Sequence, residues 1–174
     1  FTEVTATQKR GEDFIFAIER YIVRYDFSDQ FKISGGRYHT PIGYWNNAFH
    51  HGVWLQTTVG RPEVVKSHSY IIPIHFLGGL LEGNIGSSNF YYRAGFGNGR
   101  SPEAINDVGV VTYSDIYSNG AGLLSGLYRS TGRNRFEAGA SAYIDQPTVK
   151  GVKVDELILN GYFVLQSETP EVIV

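Results

Sequence analysis

Cysteine and methionine are both absent from the 174 residues, and tryptophan occurs only twice. Without a thiol there is no disulfide scaffold, no thiolate nucleophile, no iron–sulfur cluster and no cysteine-based zinc site. An excess of one charge is also lacking. The 15 Lys and Arg stand against 17 Asp and Glu, a net of -2, which leaves no electrostatic footprint for nucleic acid as a partner. Long apolar runs are missing too. The uncharged stretch from Tyr70 to Leu81 contains Pro73, His75, Gly78 and Gly79 and falls far short of the ~20 apolar residues of a spanning helix. Phe1 is not a translational start, and no charged segment followed by an apolar one opens the chain, so the sequence reads as a processed or partial product.

What is present is glycine and aromatic side chains: 21 Gly, 12 Tyr and 11 Phe, with 42% hydrophobic and 18% charged residues. That composition excludes disorder, collagen and coiled coil, and the length suits one domain spanning 1–174. Period-two alternation is the clearest local signal. Phe136, Ala138, Ala140, Ala142 and Ile144 share one face while Glu137, Ser141, Tyr143 and Asp145 share the other, and Leu157, Leu159, Gly161, Phe163 and Leu165 repeat the pattern. In the run from Phe14 to Phe27 the apolar parity switches between Ile18 and Tyr21, which a β-bulge near Glu19 and Arg20 would reconcile. The alternation predicts strands near 1–6, 14–27, 31–39, 70–82, 89–97, 122–130, 135–144 and 155–167, with Val172-Ile173-Val174 opening a ninth. No convincing helical periodicity occurs.

The connections alternate in length, with long loops at 40–67 and 98–121 and short ones at 28–30, 83–88 and 131–134. An all-β antiparallel up-and-down meander whose tight turns gather at one end and long loops at the other is the layout of a transmembrane β-barrel, or part of one. Tyr21, Tyr25, Phe27, Phe31, Tyr38, Tyr91, Tyr92, Tyr128, Tyr143 and Tyr162, near predicted strand ends, are candidates for aromatic girdles. Parity alone does not tell the inward face from the outward one. A soluble β-sandwich or barrel binding a carbohydrate-type ligand through its Trp and Tyr residues, and a structural barrel subunit of an envelope assembly, therefore stay open as alternatives.

The segment Gly36-Arg37-Tyr38-His39-Thr40-Pro41-Ile42-Gly43-Tyr44-Trp45-Asn46 resembles the G-R-x-x-T/S-P-x-G segment of porin-like outer-membrane barrels of the phosphate-selective porin type. The aromatic strand before it, the Asp26-Phe27-Ser28-Asp29 turn and the later Gly97-Asn98-Gly99-Arg100 at a strand exit are laid out similarly. The resemblance implies a bacterial outer-membrane location, outer-membrane lipid as surroundings, and passive diffusion of small hydrophilic or anionic solutes. Members of that family are longer and their barrels end in a strand with a terminal aromatic residue, whereas this chain ends in Val174, so the resemblance also implies a fragment of a larger barrel. A homo-oligomer or an envelope protein is a compatible partner.

Within that reading Arg20, Arg24, Arg37, Arg93 and Arg129 are candidates for the pore wall, because Arg facing lipid at mid-depth costs about 2 to 4 kcal/mol. They either form a basic ladder for anions or pair with Glu19, Asp26, Glu82 and Glu137 to satisfy a packed lumen. The loop carrying Tyr44, Trp45, Asn46, His50, His51 and Trp54 is too apolar to stay solvated, and is expected to fold into the lumen as a constriction or to dock elsewhere. His39, His50, His51, His68 and His75 lie in one region but show no metal-binding spacing, so no metal is expected. The runs Gly95–Arg100 and Gly120–Gly126 lack the following helix of a phosphate-cradling loop, and their glycines instead suit bends or close packing. No Gly-x-Ser-x-Gly elbow occurs and the carboxylates Asp155 and Glu156 alternate faces, so neither an enzyme nor a cofactor is expected.

Overall fold

The computed structural model describes residues 1–7, 15–49, 62, 64, 71–73, 75–99, 120–131, 135–149, 152–166 and 172–173. The alternating segments become an antiparallel meander of β1 (Thr2–Thr7), β2 (Ile15–Asp26), β3 (Lys32–His39), β4 (His75–Asn84), β5 (Phe90–Asn98), β6 (Gly120–Arg129), β7 (Arg135–Asp145), β10 (Glu156–Gln166) and β11 (Val172–Ile173). Between β7 and β10 a small hairpin pairs β8 (Thr148–Val149) with β9 (Val152–Lys153). The helix α1 (Gly43–Ala48) follows β3. The fold is therefore all-β. Its sheet is open: among the described residues β1 and β11 are edge strands and do not pair with each other. No helix among the described residues is long and apolar enough to cross a membrane.

Each central strand pairs with its sequence neighbour, so the short connections 27–31, 85–89 and 130–134 fall at one end of the sheet. The long ones, 40–74 and 99–119, fall at the other. The bulge stands where the parity switch put it. Glu3 faces Arg20 and Val4 faces Ile18, so Glu19 has no partner opposite it. One extra residue keeps Ile18, Tyr21, Val23 and Tyr25 on a single face across the break.

The two faces of the sheet differ sharply. On one, Tyr38, Phe76, Leu80, Leu123 and Tyr143 form the buried core with Ile42 and Ile72, and Ile22, Trp45 and Ile158 pack against them. This is the inner face, because α1 leaves β3 and settles on β7 and β10, several strands away across the sheet. The outer face carries Val4, Ile18, Val23, Tyr25, Ile33, Phe96, Leu124, Ile144, Leu157, Leu159 and Phe163, all exposed, with Val23 at 81% and Phe96 at 73%.

Glycines set how closely neighbouring strands approach. Gly36, Gly78 and Gly97 lie side by side in register on β3, β4 and β5. A Cβ on Gly78 would meet the Phe96 carbonyl and come 2.5 Å from the Gly97 Cα, and one on Gly97 would meet the Leu77 carbonyl. The two glycine runs of the sequence lie against each other on β5 and β6, with Gly95 facing Leu123, Phe96 facing Gly122 and Gly97 facing Ala121.

Candidate functional site

Polar and charged side chains concentrate on the inner wall. Arg24, Arg93 and Arg129 have inward parity on β2, β5 and β6, and Arg20 joins them beyond the bulge. Glu82 of β4, only 8% exposed, is the hub. Arg24 Nη1 donates to its Oε1 at 3.1 Å and Arg93 Nε to its Oε2 at 3.3 Å. Arg24 also grips Asp26 in a two-bond fork of 2.5 and 2.7 Å. Further along, Arg129 Nε donates to Glu137 Oε2 at 2.6 Å while the Tyr162 hydroxyl donates to Oε1 at 2.6 Å. Arg20 takes Glu3 at 2.6 Å, and the Glu19 side chain lies outside the described residues. These arginines are thus ion-paired along the wall, which disposes them to fill and rigidify a polar interior more than to project a basic field.

Arg37 does not join this group. It lies opposite Tyr21 and Leu77 on the outer face, at the long-loop end, where its guanidinium donates to the Ile18 carbonyl at 2.6 Å and to His75 Nδ1 at 3.1 Å. Register sets it apart from the other four candidate arginines: an arginine at an odd position of β3 points away from the face that holds Ser34 and Tyr38.

The aromatic loop contributes α1 to the inner face. Thr40, Pro41, Ile42 and Gly43 are buried, and Asn46 Nδ2 donates back to the Thr40 carbonyl at 2.5 Å. Gly43 adopts φ +69° beside Asn160 of β10, whose side-chain oxygen would lie 3.2 Å from any Cβ there. Tyr44 packs on Tyr162 with ring centroids 5.7 Å apart, Trp45 packs on Phe49 at 5.1 Å and enters the core, and Asn47 Oδ1 accepts from Arg93 Nη1 at 3.5 Å. His50, His51 and Trp54 lie outside the described residues, as does His68. His39 and His75 face each other with ring centroids 5.6 Å apart, and no group of three metal-ligating side chains occurs among the described residues.

The aromatic candidates divide by face. Tyr25, Phe27 and Phe31 cluster at the short-turn end, with centroids 4.6 and 5.2 Å apart, and Phe90, Tyr128, Phe136 and Phe163 continue in a row across four strands at 4.9, 5.6 and 5.7 Å. Tyr38, Tyr91, Tyr143 and Tyr162 belong instead to the inner face, as their register with Phe76, Leu127, Leu123 and Gly139 requires. The inner residues that sequence reasoning left out, among them Glu3, Asn47, Ser125 and Asn160, had a usable signal only in the strands, where parity with a neighbouring arginine marks them.

No protein-family model matches the chain, and neither a curated protein nor a solved structure matches it significantly.

Proposed function

We propose that the chain forms part of a porin-like outer-membrane β-barrel that lets small hydrophilic solutes diffuse passively, with α1 narrowing the passage. The observation that carries this reading is the inverted distribution of polarity. Apart from the long-loop end, where Arg37, His39 and His75 lie, the outer face is apolar and exposed, while the ion pairs stand on the inner face beside its buried core, the reverse of what water around a sheet selects.

Dimensions support it. β4 has 10 residues, β5 9, β6 10, β7 11 and β10 11, matching the 9–11 or so that a tilted transmembrane strand needs. From Leu157 to Leu165 the apolar parity runs about 27 Å along the strand, or about 21 Å of depth at a usual tilt, close to the ~25 Å apolar band of such barrels. The aromatic row at the short-turn end lies where an interfacial girdle belongs. The paired arginines suit a hydrophilic lumen with little net field, so the reading is of general diffusion with local rather than overall charge preference.

The chain's lack of cysteine makes a direct test clean. Single cysteines at outer Leu124 or Leu159 and at inner Ser125, introduced into the protein reconstituted in liposomes, are treated with a water-soluble maleimide, and a fluorophore at each is challenged with brominated lipid. Outer sites should resist the maleimide and be quenched by the lipid, and the inner site should do the opposite. Equal labelling everywhere, or a protein that stays soluble without detergent, would overturn the reading in favour of a ligand-binding β domain.

A further inference from the structure

A cavity of about 420 Å³ opens on the inner face below α1, toward the short-turn end, and the wall chemistry described above does not account for it. Its size falls in the range of small-molecule sites, roughly 300 to 1,000 Å³. Tyr44 of α1, Arg129, Ser130 and Thr131 at the end of β6, and Arg135 and Glu137 of β7 line it.

Three features of the lining point to one kind of ligand. First, the charge does not cancel. Arg129 is committed to Glu137 at 2.6 Å, whereas the exposed Arg135, with inward parity like Glu137, has no ion pair among the described residues. One positive charge is left for an anionic group, and a guanidinium holds a carboxylate by two parallel hydrogen bonds. Second, Glu137 is held by Arg129 and by the Tyr162 hydroxyl, one on each oxygen, so a fixed planar acceptor lines the cavity together with Thr131. A planar carboxylate with spare lone pairs and a threonine hydroxyl suit a ligand with several hydroxyl groups. Third, Tyr44, braced against Tyr162, offers a ring to the cavity, which suits the C–H face of a sugar ring.

We infer that this cavity is a binding site for a hydroxylated organic anion of the sugar-acid class, its carboxylate on Arg135, its hydroxyls on Glu137 and Thr131, and its ring against Tyr44. The inference rests on the inner face being open to water, as in the proposed function. It goes further by giving the passage a resting point for one chemical class, supplied by the α1 residue and the β6–β7 end together.

The test uses the whole protein in detergent, titrated calorimetrically with D-galacturonate, D-galactose, acetate and inorganic phosphate. Galacturonate should bind about tenfold more tightly than each of the other three, because only it meets the cation, the acceptors and the ring at once. Arg135→Gln should bring galacturonate down to the affinity of galactose, and Arg135→Lys should restore part of the difference. Tyr44→Leu should weaken both sugars alike and leave acetate unchanged. Equal affinity for galacturonate and galactose, phosphate binding as tightly as galacturonate, or an Arg135→Gln variant indistinguishable from the parent would each overturn the site. Conductance in a planar bilayer is read separately. Channels that conduct but do not respond to galacturonate leave the porin reading standing and remove the site, whereas selective binding without conductance keeps the site and removes transport.

Discussion

Arg24 and Glu82 meet across the whole width of β3, 58 positions apart in sequence and 3.1 Å apart in space, with Arg93 holding the other carboxylate oxygen. Converting Glu82 to Gln leaves two guanidinium groups facing each other over a nearly buried amide. The expected loss is about 2 kcal/mol, since charge-assisted hydrogen bonds contribute about 1.5 to 3 each and Arg24 is partly solvated. Denaturant titration of the reconstituted protein measures it, and an unchanged midpoint would show that the cluster contributes nothing to stability.

The bulge makes an unusual forecast about deletions. Removing Glu19, which has no partner opposite, should leave both halves of β2 on their present faces and change stability by less than about 1 kcal/mol. Removing Val23 instead shifts part of the strand by one position, turning apolar side chains inward and Arg20 or Arg24 outward, and should abolish folding. Proteolysis and heat-modifiable gel mobility of the two deletions compare them directly.

Leu159 is 72% exposed on the outer face. In a bilayer, Leu159→Arg should cost about 2 to 4 kcal/mol relative to Leu159→Ala if the site is near mid-depth, whereas against water the two would differ little. Folding free energies in liposomes give the comparison, and a difference near zero would place that face in water.

Adjacent glycines on β4 should respond oppositely to a methyl group. Gly78→Ala pushes a Cβ into the Phe96 carbonyl and the backbone of β5 and should destabilise by about 1 to 3 kcal/mol. Gly79→Ala has only ordinary contacts beyond 3.5 Å and should be neutral or slightly stabilising through the unfolded chain. Equal losses at both would show that the close strand approach at Gly78 is not what requires glycine.

Most of the sheet was determined by the sequence alone. Alternation in segments such as 135–144 and 155–167 marked β7 and β10 to within a residue at each end, because a strand with chemically different faces writes a period of two. The change of parity at Ile18 and Tyr21 located the bulge for the same reason. Elements too short to show a period were not legible: α1 is a six-residue helix, and β8 and β9 have two residues each. Tertiary structure alone decided which face is inner, since parity is symmetric under exchange of faces and only the return of α1 onto β7 and β10 breaks that symmetry. It also decided the partners. Glu82 lies between Arg24 and Arg93, and Arg37 is turned outward, because antiparallel register brings distant strands side by side and sets each side chain by its position in the pleat.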